Sequence, residues 1–297
     1  MTPFHERLKQ PGVILGDGAL GTMLFQRGLS PGDCPERLNI EAPEILEEIA
    51  RLYLDAGAEI IQTNTFGGSP LKLASYSLDN RTEEINGRAV RALRNAVGDK
   101  AYIFASCGPC GKLLEPYGDS SAEEIFESFR RQLRTIIGEG VDAICVETMT
   151  DLAEATLAVQ AARSISTTIP ICATMTFDST PKGFRTVMGT SIEQAARGLA
   201  AAGADVIGSN CGNGIVNMVQ IAAEFRKFTS LPIIIQSNAG IPVLKEGAVV
   251  YPETAEFMAE KSKELFKIGV KIIGGCCGTT PEHTAALRKV VSGTVLC

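Results

Sequence analysis

Three cysteines carry the clearest chemistry in the chain. Cys276 and Cys277 are adjacent in GGCCG (274–278), and Cys211 lies in NCG (210–212), so glycine flanks every one of them. Three thiolates can hold a Zn²⁺ ion and leave its fourth tetrahedral position open, the layout of a catalytic rather than a structural zinc site. Neighbouring residues of a regular strand point to opposite faces, so Cys276 and Cys277 can share an ion only where the backbone turns. Gly274, Gly275 and Gly278 are expected to permit that turn. A single free cysteine is more often a small buried hydrophobe than a ligand, and Cys34, Cys145, Cys172 and Cys297 are read that way. Of the two histidines, His5 lies in the N-terminal extension and His283 belongs to TTPEH. There Thr280 suits a helix cap, Pro281 a first helical position and Glu282 the positive helix end. Neither is expected to complete the metal set, which leaves room for an exogenous ligand.

A thiol arriving at such an ion would lose its proton near neutral pH yet remain nucleophilic, which suits alkyl transfer to sulfur. Hydrolysis by zinc generally uses neutral or mixed ligands with a nearby base, and the chain is poor in histidine. A competing thiol motif, Cys107-Gly-Pro-Cys110, reads as a redox pair or half of another metal site, although the GKLLEP that follows does not open a helix as a thioredoxin-like pair would. Several further polar residues follow apolar runs: Asp17 in GDGALGT, Asn64 in QTNTFG, Glu147 in VETMTD and Asn238 in SNAG. Asp17 and Glu147 could receive an ammonium group, and loop N–H groups about Gly18 and Ala19 a carboxylate, as an amino-acid substrate requires. GDGALGT lacks the spacing of a phosphate loop, and its alternative is a glycine turn opening a helix.

Positioning these groups needs strands that end together. Eight short β-branched runs, at 13–17, 59–63, 101–106, 142–147, 169–176, 205–210, 232–237 and 270–275, alternate with amphipathic stretches such as 43–57, 121–140, 150–164 and 191–203. DAGAE, GEGVD, AAGAD and KIGVK each place a glycine just before a strand, as helix C-caps do. The pattern predicts a single (β/α)8 TIM barrel over residues 1–297, with the zinc site at its C-terminal face. A doubly wound open sheet is the alternative. Cys211 would then follow the sixth strand and Cys276-Cys277 the eighth, at the rim where barrel enzymes keep their catalytic groups.

Composition narrows the function. The chain has 297 residues, 45% of them hydrophobic and 21% charged, with a net charge of -6. That balance gives no electrostatic reason for nucleic acid or an anionic membrane as partner. No apolar stretch has the length of a signal peptide or a membrane span, so a cytoplasmic location is expected. Nine cysteines, an odd number, fit free thiols or metal ligands better than a disulfide framework.

The motifs GDGALGT, LNIEAPE (38–44), IQTNTFGG (61–68), GP-x-G (108–111), VETMTD (146–151), SNCG (209–212), SNAG (237–240) and GGCCGTTPEH (274–283) resemble the homocysteine S-methyltransferase family. They are most similar to the homocysteine-binding module of cobalamin-dependent methionine synthases. The resemblance implies that Cys211, Cys276 and Cys277 bind zinc, with the sulfur of L-homocysteine in the fourth position. It also implies that Asp17 and Glu147 contact the substrate amino group, that backbone near Gly18 and Ala19 holds its carboxylate, and that Asn64 and Asn238 belong to the substrate site. Two features depart from it: GNGIVNM after Cys211, and the cysteines around the GP motif. With neither a folate-binding barrel nor a cobalamin module in the chain, the expected donor is methylcobalamin on a separate corrinoid protein or module. S-methylmethionine, S-adenosylmethionine and betaine are the alternatives, and the absence of Trp gives betaine's aromatic cage little support. A thiol redox or metal-storage protein is the reading of a different class.

Overall fold

In a computed structural model of the chain, residues 1–245 and 248–294 are described. Cys297, read above as a core residue, lies outside them. The eight runs form β1 (Ile14–Leu15), β2 (Ile60–Gln62), β3 (Tyr102–Cys107), β4 (Ala143–Met149), β5 (Ile171–Met175), β6 (Val206–Asn210), β7 (Ile233–Ser237) and β8 (Ile272–Gly275). Each pairs in parallel with its sequence neighbour from β2 to β8, and β8 pairs with β1. A parallel bridge between Gly16 and Ile60 joins the two ends of this sheet. It is supported by Glu59 N–H to the Leu15 carbonyl at 2.8 Å and Asp17 N–H to the Ile60 carbonyl at 3.0 Å. The architecture is the (β/α)8 barrel expected from the alternation, and the open sheet is set aside.

Helices α1 (Pro43–Asp55), α2 (Thr82–Val97), α3 (Ala122–Gly138), α4 (Leu152–Ile165), α5 (Ile192–Ala202), α6 (Ile215–Phe228), α7 (Ala255–Ile268) and α8 (Pro281–Thr294) follow the strands in turn. Their apolar stripes decide their placement. In α3 the buried residues Ile125, Phe129, Leu133 and Ile136 recur at helical spacing and pack toward the sheet. Ser121 accepts the Glu124 N–H and starts that helix. Ser191 and Gln194 form a reciprocal capping box at α5, and a cap of this kind stabilises by about 1 kcal/mol. Gly203 and Gly269 end α5 and α7 in left-handed conformation, at φ +104° and +80°, as two of the glycine signals required. No helix among the described residues is long and apolar enough to cross a membrane.

Inside the barrel, every second residue faces the axis. The lower layers are apolar: Ile14, Ile60, Tyr102, Phe104, Cys145, Cys172, Val206, Ile234 and Ile272 form one buried cluster. Phe4 closes its floor edge-on to Tyr102 and Phe104, with ring centroids 5.1 and 4.7 Å away. Burying that ring stabilises by about 2–3 kcal/mol. Two residues further along these strands, or four in β6 where Gly208 intervenes, the facing side chains become polar: Gln62, Ser106, Glu147, Thr174, Asn210 and Gln236, all buried except Gln62. The barrel therefore has a dry floor and a polar upper layer. Two small antiparallel strand pairs, 178–180 with 183–185 between β5 and α5 and 243–245 with 248–250 between β7 and α7, extend the connections above that layer.

Candidate active site

Cys211 leaves the end of β6, and Cys276 and Cys277 leave the end of β8. Their three sulfurs lie within 4.8 Å of one another, with Cys211 and Cys277 at 3.7 Å. A tetrahedral zinc with Zn–S bonds of about 2.3 Å needs sulfurs roughly 3.8 Å apart, so the three thiols fit one ion.

The turn that aims them differs from the one expected. Cys211 itself has φ +60°, and Gly212 follows at +72°. A left-handed non-glycine residue costs roughly 1–3 kcal/mol, and the Asn213 N–H closes this turn on the Cys211 carbonyl at 2.9 Å. On the other side, the Cys276 N–H continues the sheet ladder to Ser237 at 2.7 Å, and the Thr279 N–H returns to the Cys276 carbonyl at 3.1 Å. Gly278, at φ +81°, turns the chain just after the second thiol, with the Tyr251 ring where its β-carbon would be. Gly274 and Gly275 are regular β8 residues. Their missing side chains instead make room for the Asp17 carbonyl and for Thr279.

Sharing so small a volume divides the thiols electrostatically. Cys277 is pushed far toward its thiolate, first by hydrogen bonds from Cys211 and Cys276 and, beyond them, by Tyr251. Cys276 is pushed well up, by its hydrogen bonds to Cys211 and Cys277 and by burial. The Cys276 bond favours the Cys211 thiolate, but the Cys277 bond and burial outweigh it and raise Cys211 to about 11. One negative charge sits comfortably here and further ones do not, a condition that a divalent cation relieves.

Directly beneath lies the polar layer. Burial raises Asp17 to about 7, against the Gln62 N–H it accepts at 2.8 Å, and the charge of Glu147 adds to the rise. Burial likewise raises Glu147 to about 7, opposed by the Ser106 hydroxyl and joined by the charge of Cys211. Gln62 donates to Glu147 at 2.9 Å and accepts from Gln236 at 2.9 Å. Asn210 connects the two levels, donating to Glu147 at 3.3 Å and to the Cys276 sulfur at 3.9 Å. Its own oxygen is fixed by the Thr148 N–H and the Thr174 hydroxyl. Buried oxygens Asp17 Oδ1, Gln236 Oε1 and Asn238 Oδ1 have no hydrogen-bond partner among the described residues. Unpartnered buried acceptors are costly, and an ammonium ligand supplies donors for them.

Not every residue anticipated at the site is available to a ligand. The Ala19 N–H already donates to the Thr279 hydroxyl at 3.1 Å, and a β-carbon at Gly18 would press on Thr279 and Tyr53, so this loop is packed against α1 and the turn that precedes α8. Asn64 uses its amide group on the Pro35 carbonyl and Asn39 at 2.8 and 2.9 Å, which ties β2 to the LNIEAPE segment. Asn238 stays at the end of β7 with its N–H on the Asn213 carbonyl at 3.0 Å. Cys107 and Cys110 are both buried; the first donates to Gln132 at 3.6 Å and the second to the Lys112 carbonyl at 3.9 Å. Burial holds both thiols up, Cys110 to about 12, which does not favour redox exchange. His283 reaches back from the first turn of α8. Its Nδ1 accepts the Thr280 N–H at 3.2 Å, leaving Nε2–H to donate to the Glu253 carbonyl at 3.2 Å. It is a structural residue, as its sequence context suggested, and its ring takes part in the cap that the sequence assigned to Thr280.

The family model described as homocysteine S-methyltransferase matches residues 14–291. The chain is 31% identical over 304 residues to a methionine synthase of Mycobacterium leprae (strain TN), covering 95% of this chain and 25% of that protein. It is also 31% identical over 297 residues to a methionine synthase of Mycobacterium tuberculosis (strain ATCC 25618 / H37Rv), covering 94% and 25%. The chain thus spans about a quarter of the length of these relatives. Crystal structures of the homocysteine methyltransferase MmuM from Escherichia coli, in metallated and oxidized forms, superimpose with TM-scores of 0.80 and 0.79 at 22% and 23% identity. Each comparison covers 97% of this chain and 99% of the other, and the likeness is one of fold.

Proposed function

Because the chain belongs to the homocysteine S-methyltransferase family, we propose that it transfers a methyl group to the thiol of L-homocysteine, giving methionine, with residues 1–297 acting as one barrel unit. The observation that carries this reading is the convergence of Cys211, Cys276 and Cys277 within 4.8 Å directly above two buried carboxyl groups. The donor in this reading is methylcobalamin on a separate corrinoid protein or module. Its support is that the similar methionine synthases are about four times as long as the stretch they share with this chain.

Zinc held by Cys211, Cys276 and Cys277 would supply a Lewis acid that keeps an incoming thiol deprotonated near neutral pH. The chain's own residues do the rest. Asp17 and Glu147 receive the substrate ammonium, and Ser106, Gln62 and Asn210 hold the Glu147 carboxylate in place for it. Asn210 also fixes the Cys276 sulfur, so amine and thiol are aligned by one side chain. The dry floor excludes water from below. The substrate sulfur forms the new S–CH₃ bond as the bond from methyl to donor breaks, its electron pair leaves with the donor, and the thiol proton passes to solvent.

The test is methionine formation from homocysteine by zinc-loaded protein, with methylcob(III)alamin, a methylated corrinoid protein, S-methylmethionine, S-adenosylmethionine and betaine offered in turn. Turnover is expected with the corrinoid donors. No methionine from any donor would sink the proposal.

A pH dependence follows from the two carboxyl groups. Both are raised to about 7 in the fold, so between about pH 4 and pH 7 the folded protein keeps protons that the unfolded chain has released. Their contribution to stability is present in acid and is lost as pH rises through about 7. The denaturation midpoint of homocysteine-free protein is therefore expected to fall across this window, and to fall less in Asp17→Asn. Binding runs the other way, since only ionised carboxylates pair with ammonium. Calorimetric homocysteine affinity is expected to strengthen as pH rises through about 7. An affinity flat across this range would contradict the assignment of Asp17 and Glu147.

A further inference from the structure

Two of the three non-glycine residues with positive φ among the described residues meet at one amide. Thr148 has φ +59° and Cys211 φ +60°, and Asn210, the residue before Cys211, is bonded to Thr148 at both ends of its side-chain amide. The Thr148 N–H donates to Asn210 Oδ1 at 2.7 Å, and Asn210 Nδ2 donates to the Thr148 hydroxyl at 2.8 Å. Left-handed backbone is unfavourable for a β-branched residue, and its local origin is a bulge. Val146 pairs with Ala173 and Met149 with Met175, so three steps along β4 match two along β5. An extra residue of this kind re-aims a side chain. In a regular strand the residue after inward-facing Glu147 would turn away from the barrel axis. Here Thr148 instead reaches past β5 to an inward-facing residue of β6.

The reciprocal pair settles which way the amide lies. Asn210 Oδ1 receives both the Thr148 N–H and, at 2.8 Å, the Thr174 hydroxyl. The nitrogen is therefore the end that faces Glu147 Oε2 at 3.3 Å. Turned by 180°, the amide would set an acceptor against that carboxylate and a donor against the Thr148 N–H. Among the nitrogen's bonds to Thr148, Glu147 and Cys276, the one to the Thr148 hydroxyl is the shortest, so it does most to fix where the amide protons point. We propose that Thr148 is a positioning residue for homocysteine: its N–H and hydroxyl clamp the Asn210 amide, which in turn holds the Glu147 carboxylate toward the substrate ammonium. This rests on the assignment of Glu147 to the amine and adds to it a residue that acts through Asn210.

The test is Thr148→Val, which keeps the β-branched shape and the backbone N–H and replaces the hydroxyl by a methyl group. Calorimetry on zinc-loaded protein reads the affinity for homocysteine and for 4-mercaptobutanoate, which lacks the amine. Homocysteine is expected to bind the variant about 3- to 10-fold more weakly, while 4-mercaptobutanoate binds variant and wild type alike. Thr148→Ser restores the hydroxyl and is expected to recover homocysteine binding. If thermal unfolding shows that Thr148→Val folds poorly, Thr148→Ala removes the hydroxyl without the β-branch, and the same selective loss is expected of it. An equal loss for both ligands marks a general disturbance of the site and overturns the Thr148 role, as does a Thr148→Ser protein as weak as Thr148→Val. Wild-type protein that binds homocysteine no more tightly than 4-mercaptobutanoate defeats the amine assignment of Glu147 and the Thr148 role together. Wild type that prefers homocysteine, matched in both affinities by Thr148→Val, defeats the Thr148 role alone.

Discussion

Cys276→Ala is expected to emerge from dialysis without zinc, and methyl transfer to homocysteine to fall at least about a thousandfold, a barrier increase of about 4 kcal/mol. The reason is that two remaining thiols, Cys211 and Cys277, cannot complete a closed set of three, and the affinity of sulfur sites for zinc depends on every thiolate. The fold should survive, because Cys276 lies at the rim and the carbonyl and N–H through which it joins the sheet are unchanged. Metal analysis after gel filtration, thermal unfolding of metal-free protein and the methylation assay together decide the matter. Stoichiometric zinc with turnover within tenfold of wild type would remove the thiol cluster from the mechanism.

Glu147→Gln is expected to raise KM for homocysteine about a hundredfold while zinc content stays at the wild-type level. Removing one partner of a buried charge pair costs about 2–5 kcal/mol, and the amide that replaces the carboxylate places an NH₂ group where an ammonium should sit. The isosteric change keeps an oxygen to accept from Ser106 and Gln62 and loses only the 3.3 Å bond that Asn210 donates to the other oxygen. A des-amino analogue, 4-mercaptobutanoate, separates binding from chemistry: it should be a poor substrate of the wild type and no worse a substrate of the variant. An unchanged KM for homocysteine would mean that the amine is held elsewhere.

The barrel was legible because its signals are local. β-Branched runs, helix stripes, capping residues and pre-strand glycines each act within a few residues, and six of the eight strands fall inside the stretches read from them, β3 and β4 running one and two residues further. The thiol cluster was legible because strand ends gather at one rim in this fold, whatever their distance in sequence. What stayed hidden was set by inward alternation and by long-range packing. Gln62, Gln236 and Asn210 read as polar ends of apolar runs, and only a closed barrel makes them one layer around Glu147. Ala19 seemed free to bind a carboxylate until the sheet brought Thr279, 260 residues away, onto its N–H. Asn64 was in the right motif, yet Asn39 and Pro35 claim its amide. Tyr251 sits in a connection without periodicity, where nothing local fixes its direction.

The left-handed backbone at Cys211 sets the demands of folding against those of chemistry at a single residue. Glycine would relax that turn and remove the sulfur at once, so the substitution most agreeable to the scaffold is the one most damaging to the proposed reaction. A stabilisation campaign guided by the melting temperature of metal-free protein would therefore collect Cys211→Gly as an improvement and report nothing amiss. Any redesign of this barrel for robustness has to hold position 211 fixed by a chemical criterion, because a thermodynamic one selects against it.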